Sequence, residues 1–458
     1  MKKLRDDSAV LALKCNKTMS EWKEYKVGDI FNIQNGYAFK SGEFVDYSED
    51  TYEVLKIGHI EVGGGLRSDP KRTFVKRESK YLKWVLEKND IVMGMTDMKS
   101  NVVILGIPAL IDKSDKYVLN QRVARLSLKD SLSFDIYFCY YQMQWKEYIS
   151  ELRKTANSGV QVNLTTSGIS NSLLFVPDFE IQKKIGGILR TLDDKIKNNR
   201  RVNENLEQQA QALFKSWFVD FEPFKDEEFV ESDLGMIPKS LETKYVSEIP
   251  HILETGRRPK GGVGELKSGI PSVGAEHVKG MGKYDFSKTK YISEDYAATL
   301  KTGKVRGYEL LIYKDGGKPG YFIPNYSIFG EGYPFDECYL NEHVFKLDFD
   351  NRGYNIFCYF YFQTDHVMTY LNAQGGKAAI PGINKQDIEN ILIYSPESEQ
   401  VKKFGTFAEP LFTKILYNCK ESQKLSIIRD TLLPKLMSGE LRVSDTDLIN
   451  EMLEKGIR

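Results

Sequence analysis

Cysteine is scarce and unpatterned. Cys15, Cys139, Cys338, Cys358 and Cys419 are odd in number, widely spaced and without a CxxC pair. That excludes a disulfide framework and a structural zinc site, and predicts a reducing compartment. Net charge is also absent, because 64 Lys and Arg balance 64 Asp and Glu. Any basic surface must therefore be local. No apolar run reaches the ~18 residues of a membrane span, and Met1–Ser20 lacks a signal-peptide core. The expected location is the cytoplasm. The five histidines, His59, His251, His277, His343 and His366, have no metal-ligand spacing. Gly317-Lys318 and Gly376-Lys377 lack the upstream Gly and following Ser or Thr of a P-loop. Glu222-Pro223-Phe224 lacks the second Pro of the DPPY-like tetrapeptide of amino-methyltransferases. No metal, cofactor or catalytic site is expected.

An internal repeat is present, and it fixes the architecture. Val27, Ile30, Lys99, Phe138-Cys139-Tyr140, Ile169, Pro177, Gly186, Asn199, Leu206 and Leu213 recur 219 residues later. Their counterparts are Val246, Ile249, Lys318, Phe357-Cys358-Tyr359, Ile388, Pro396, Gly405, Asn418, Leu425 and Leu432. Between these anchors the loops differ: Gly36–Asp50 does not resemble Gly256–Gly269. Each half begins with a mixed domain, residues 21–178 and 240–396. Short β-type runs such as Asp90–Met93 and Glu309–Ile312 sit there among glycine-rich turns. A helix is predicted over Phe134–Leu152 and another over Gly353–Leu371. Each half ends in a long helix, at 179–221 and 397–440. Residues 1–20 form an N-terminal segment, 222–239 an acidic linker, and 441–458 a polar tail.

The long helices carry heptads. Ile185, Leu192, Asn199, Leu206 and Leu213 fall seven apart, as do Phe404, Leu411, Asn418, Leu425 and Leu432. A single seam asparagine fixes register at a cost in stability. If the helices pair antiparallel about a pseudo-two-fold axis, Asn199 and Asn418 should meet near it; the alternative is that both are solvated. Pro410 has no counterpart, and it predicts a kink or a late helix start. The predicted fold class is therefore α+β: two repeated mixed domains, each followed by a long helix, with the helices forming an antiparallel coiled coil.

Two features compete for function. Pro177-Asp178 followed by Asp193-Asp194-Lys195 formally matches a nuclease pattern, which needs both carboxylates and the Lys to converge on a metal. Asp193 falls on the heptad helix, and Phe412 replaces it in the other half. Basic residues at Lys71, Arg72, Lys76 and Arg77, then Arg257, Arg258 and Lys260, suit DNA, where Lys and Arg meet phosphates and polar side chains read base edges. The structural alternative is a solvated charged face. Lys99 and Lys318 each follow a strand. With Asn101, Gln161, Lys314 and Lys377 they complete the candidate DNA-binding set.

The arrangement resembles the specificity subunit of type I restriction-modification enzymes. The resemblance rests on Trp22-x(4)-Val27-Gly28-Asp29-Ile30, Leu119-Asn120-Gln121, Pro177-x(2)-Glu180-Ile181-Gln182 and Leu213-Phe214-Lys215-Ser216-Trp217-Phe218. In the second half it rests on Leu340-Asn341-Glu342, Pro396-x(2)-Glu399-Gln400 and Leu432–Leu441. Leu241 departs from the pattern where a Trp would match Trp22. The resemblance implies that each mixed domain recognises half of a bipartite target on double-stranded DNA. It implies that the helices set half-site spacing and dock two methyltransferase subunits, with motor-nuclease subunits joining for restriction. A helix of ~38 residues spans ~57 Å, longer than the ~34 Å of one duplex turn. The rival reading is a coiled-coil adaptor that binds only protein.

Overall fold

The computed structural model describes residues 22–158, 161–263, 266–316, 320–376 and 381–443. The expected N-terminal segment and most of the tail lie outside them, as do Lys318 and Lys377. Among the described residues, no helix is long and apolar enough to cross a membrane. The chain divides into two compact units. The first comprises residues up to Asp194 together with those from Leu425 onward, and the second runs from Lys195 to Lys424.

The first unit is built on an antiparallel sheet in the order Phe31–Asn35, Val123–Leu128, Ile91–Gly94, Pro108–Leu110. Ile91, Val92 and Met93 are fully buried. A strand buried on both faces needs a continuous apolar run rather than alternation. A second sheet orders Phe44–Val45, Phe74–Lys76, Thr51–Leu55 and Tyr117–Leu119, the last pair parallel. A third, smaller ribbon joins Asn157–Ser158, Gln161–Asn163 and Thr96–Met98. Lys23–Lys26 pairs with Leu173–Val176 and closes the domain beside its long helix.

The second unit repeats this plan. Its main sheet orders Ile252–Thr255, Val344–Asp348, Leu310–Tyr313 and Tyr326–Ser327. Its second sheet contains Ile270–Val273 parallel to Tyr339–Leu340. Among the described residues the ribbon's counterpart is a bridge between Asp315 and Gly382, and Thr243–Tyr245 pairs with Leu392–Tyr394. The strand registers reveal internal length changes that cancel downstream. Leu55 faces Leu119 where Val273 faces Leu340, so the equivalent segments lie 218 and 221 residues apart before the 219 offset returns.

Three expectations need correction. Phe134–Leu152 is two helices, Ile136–Gln144 and Lys146–Lys154, broken at Trp145 with ψ 130°. Phe138 to Met143 are all buried, so the first helix must be enclosed on every side, whereas Lys146, Glu147 and Lys154 require a solvent face. The chain turns at Trp145 to leave the core. Its counterpart divides likewise into Arg352–Tyr361 and Asp365–Gly375. Pro410 causes no late start: the second long helix runs unbroken over Glu399–Met437. Pro410 stands on the exposed face, where water can satisfy a carbonyl freed by the missing N–H. Finally, the segment read as a linker is a hairpin of Phe229–Ser232 and Gly235–Pro238. Phe224 and Ile237 at its ends are buried in the second unit's core.

The first long helix is Phe179–Phe218. In the second unit its later part lies antiparallel to the start of the other: Asn199 meets Ser422, Asn203 meets Cys419 and Phe214 meets Phe404. Asn199 and Asn418 are 2% and 1% exposed, which removes the solvated alternative. Asn199 Nδ2 donates to Glu421 Oε2 at 2.6 Å and approaches the Asn418 carbonyl at 3.5 Å. Asn418 Nδ2 donates to Asn203 Oδ1 at 2.8 Å. The buried stripe is wider than a two-position seam, because Phe214, Phe218, Phe412 and Leu416 also enter the core of this unit. These helices pack both on each other and on a mixed domain, so a third position per heptad is apolar.

Candidate nucleic-acid interface

In the first unit four segments distant in sequence converge. Tyr37 bridges to Asn120, at a turn where a Cβ on Gly36 would lie 2.2 Å from the Asn120 carbonyl. Met95 N donates to the Arg122 carbonyl at 3.1 Å, and Leu164 N donates to the Met95 carbonyl at 2.8 Å. Thr96 Oγ1 donates to Asn163 Oδ1 at 2.9 Å. This places Lys99, Asn101 and Gln161, expected as DNA contacts, on one exposed ribbon. Asp97 holds the ribbon's loop closed. Its carboxylate accepts from the amides of Met98, Val103, Ile104 and Leu105 at 2.5–3.2 Å. A loop pinned by four amides presents Met98, Lys99 and Asn101 with little freedom to lose on binding.

The run from Lys71 to Arg77 lies instead on the second sheet and at its margin. Arg72 approaches buried Glu53 at 3.6 Å, as does Lys116, while His59 Nε2 lies 3.1 Å from it. Burial pushes the Glu53 carboxyl up, but the His59 hydrogen bond and the Lys116 and Arg72 charges outweigh it, so it sits below the usual range. Arg77 uses its guanidinium inside the unit. Nη1 donates to Asp115 Oδ2 at 2.5 Å and Nη2 to the Asp115 carbonyl at 2.8 Å, and the group lies 4.2 Å over the Tyr52 ring. Lys71 and Lys76 are exposed.

The second unit brings the equivalent four segments together. Thr255 Oγ1 donates to the Val344 carbonyl at 2.9 Å, Lys314 N donates to the His343 carbonyl at 3.1 Å, and Ile383 N donates to the Lys314 carbonyl at 2.8 Å. Here the side chains form a charged chain. Arg258 Nε lies 2.5 Å from Glu342 Oε1, and His343 Nε2 lies 3.3 Å from the same oxygen. His343 Nδ1 lies 2.8 Å from Asp315 Oδ2, and Lys314 Nζ lies 2.9 Å from it. Arg257 and Lys260 are exposed nearby in sequence. Charge runs alone did not reveal Gln121, Arg122, Glu342 and His343. The available signal was positional: both strings follow the matched Leu-Asn that pairs parallel to the strand before the histidine.

The remaining motifs have structural partners. Asp193, the nuclease candidate, pairs with Arg429 at 2.7 Å and accepts from Tyr141 Oη at 2.7 Å. His59 and His277 occupy equivalent strand ends, each accepting from a backbone amide at 3.2 Å through Nδ1. Cys139 and Cys358 are enclosed, and burial pushes both thiols well up, the reverse of nucleophile activation.

Comparison with known proteins adds independent findings. Residues 19–208 match the family model described as the type I restriction modification DNA specificity domain. The type I restriction enzyme MjaIX specificity subunit of Methanocaldococcus jannaschii is 31% identical over 335 residues, 71% of this chain and 73% of that protein. The HindI specificity subunit of Haemophilus influenzae is 26% identical across 92% of this chain and its own full length. The crystal structure of a type I restriction-modification S subunit from M. genitalium superposes with a TM-score of 0.54 at 17% identity. That match covers 91% of this chain and 96% of the other, and it supports the fold.

Proposed function

The chain belongs to the type I restriction-modification DNA specificity family, and we propose on that premise that each unit reads one half of an asymmetric, interrupted target. It is a specificity subunit, whose role is sequence-specific DNA recognition. The observation that carries the proposal is the four-segment convergence, repeated in both units and dressed with different side chains. The first presents Lys99, Asn101, Gln121, Arg122 and Gln161. The second presents Arg257, Arg258, Lys260, Lys314 and His343. Like frames with unlike side chains suit two unlike half-sites. The cations nearest the rim meet phosphates, and the ribbon side chains meet base edges.

Catalysis belongs to partners. Two methyltransferase subunits dock on the long helices and motor-nuclease subunits join for restriction, all in the cytoplasm, with no cofactor held by this chain. The second long helix offers a docking face where Phe407 and Tyr417 are 48% and 57% exposed. They accompany an open groove of about 580 Å³ lined by Thr406, Glu409, Pro410, Thr413, Lys414 and Tyr417.

Duplex affinity of the assembled complex against salt tests the reading. Affinity should fall steeply, with a log–log slope of about −0.9 per phosphate contact. A flat response would leave the protein-binding adaptor instead.

A further inference from the structure

We propose that Arg258 is a guanine-reading side chain of the second unit and that Glu342 is the positioning residue that aims it. The proposal rests on the reading of this unit as DNA-binding, and goes beyond it by naming a base and the residue that recognises it. Guanine offers O6 and N7 side by side in the major groove, and the two terminal amino groups of an arginine match them as a fork. An arginine can act in this way only if its fork is unspent and its direction is fixed.

Arg258 meets both conditions. Its ion pair with Glu342 is closest through Nε, at 2.5 Å, and the side chain stays 52% exposed. Arg77 is the contrast, because both of its terminal nitrogens are committed to Asp115. The direction of Arg258 is fixed from two sides. The chain two residues before it is pressed on the neighbouring strand, since a Cβ on Gly256 would fall 1.6 Å from the Leu340 carbonyl. Glu342 is itself braced by His343 at 3.3 Å, and His343 by Asp315 at 2.8 Å. Asp315 bridges to Gly382 at the ribbon. Both Glu342 carboxylate oxygens are enclosed and neither accepts a hydrogen bond, so Glu342 holds Arg258 by charge and does not itself reach a base. The first unit has Gln121 and Arg122 at the equivalent place, and no such pair.

The test maps modified sites genome-wide in cells carrying the complete system, with this chain as wild type, Arg258→Lys, Glu342→Gln or Glu342→Asp. Arg258→Lys keeps the charge and removes the fork. It should relax one guanine position in one half-site, with discrimination falling about 5- to 100-fold, and leave the other half-site intact. Glu342→Gln should relax the same position, and Glu342→Asp should restore it in part. An unchanged target for Arg258→Lys overturns the proposal, as does loss of discrimination in both halves. If Glu342→Gln fails to assemble, Arg258→Lys decides. If the wild-type system modifies no defined sequence, the DNA-specificity reading fails instead.

Discussion

Glu53 shows how a single buried charge organises the first unit. It is 5% exposed and faces His59, Arg72 and Lys116. Its carboxyl is held below the usual value, so it contributes stability that is fully present above the unfolded pKa of ~4.3. That contribution is lost as pH falls through the folded value. Thermal midpoints measured from neutral to acidic pH should therefore drop below about pH 4.3. Glu53→Gln should lie below wild type near neutrality and converge with it in acid; parallel curves would refute the assignment. Asp97, half-buried, organises the ribbon's loop by hydrogen bonding alone. Asp97→Ala leaves four amides without their acceptor and should cost about 1–3 kcal/mol. Hydrogen exchange should quicken at Val103–Leu105 while the core strands keep their protection. Site residues were only partly legible in the sequence. Lys99, Asn101 and Gln161 stood in loops flanking matched anchors, and the structure gathers them. Arg77 was indistinguishable from its neighbours, because its partner Asp115 lies 38 residues away and only the fold joins them. Glu342 is outside a DNA-binding set drawn mainly from cations; its use here is to orient one.

At the scale of elements, the long helices were legible to within three residues at each end, since a heptad pattern reports burial directly. What escaped was local. The break at Trp145 follows from which helix is enclosed, and that is decided by sheets far away in sequence. Pro410 predicts a kink or a late start; the helix starts before it, because on a solvated face its cost is small enough for packing elsewhere to override. Gly405 marks a close crossing: a Cβ there would sit 3.0 Å from the Gly353 backbone. Gly405→Ala should cost about 1–3 kcal/mol by forcing that crossing open, read as a lower denaturant midpoint with an unchanged slope. Tyr417→Glu places charge in the groove of the helix and Phe407→Glu places it on an exposed neighbouring position, both without touching the core. Each should abolish co-purification of the methyltransferase and leave the thermal midpoint within a degree or two; retained co-purification would move the docking face elsewhere.

At the scale of the whole molecule, the 219-residue repeat carries the frame, and the differences between its copies carry specificity. Both units keep one strand order, while the segments between strands change length and cancel before the next anchor. That is why topology was readable from one sequence and the recognised bases were not: most matched residues build strands and helices, and most of the side chains proposed to meet DNA are unmatched. The hairpin at 229–238 belongs to the second unit's core through Phe224 and Ile237, so a modular exchange must carry residues 222–396 and not start at 240. The most direct measurement replaces that stretch with the equivalent stretch of a relative and maps the modified sequence across the genome. One half-site should change to that of the donor, with the other half-site retained. A change in both halves, or in neither, would contradict the assignment of one unit to each half of the target.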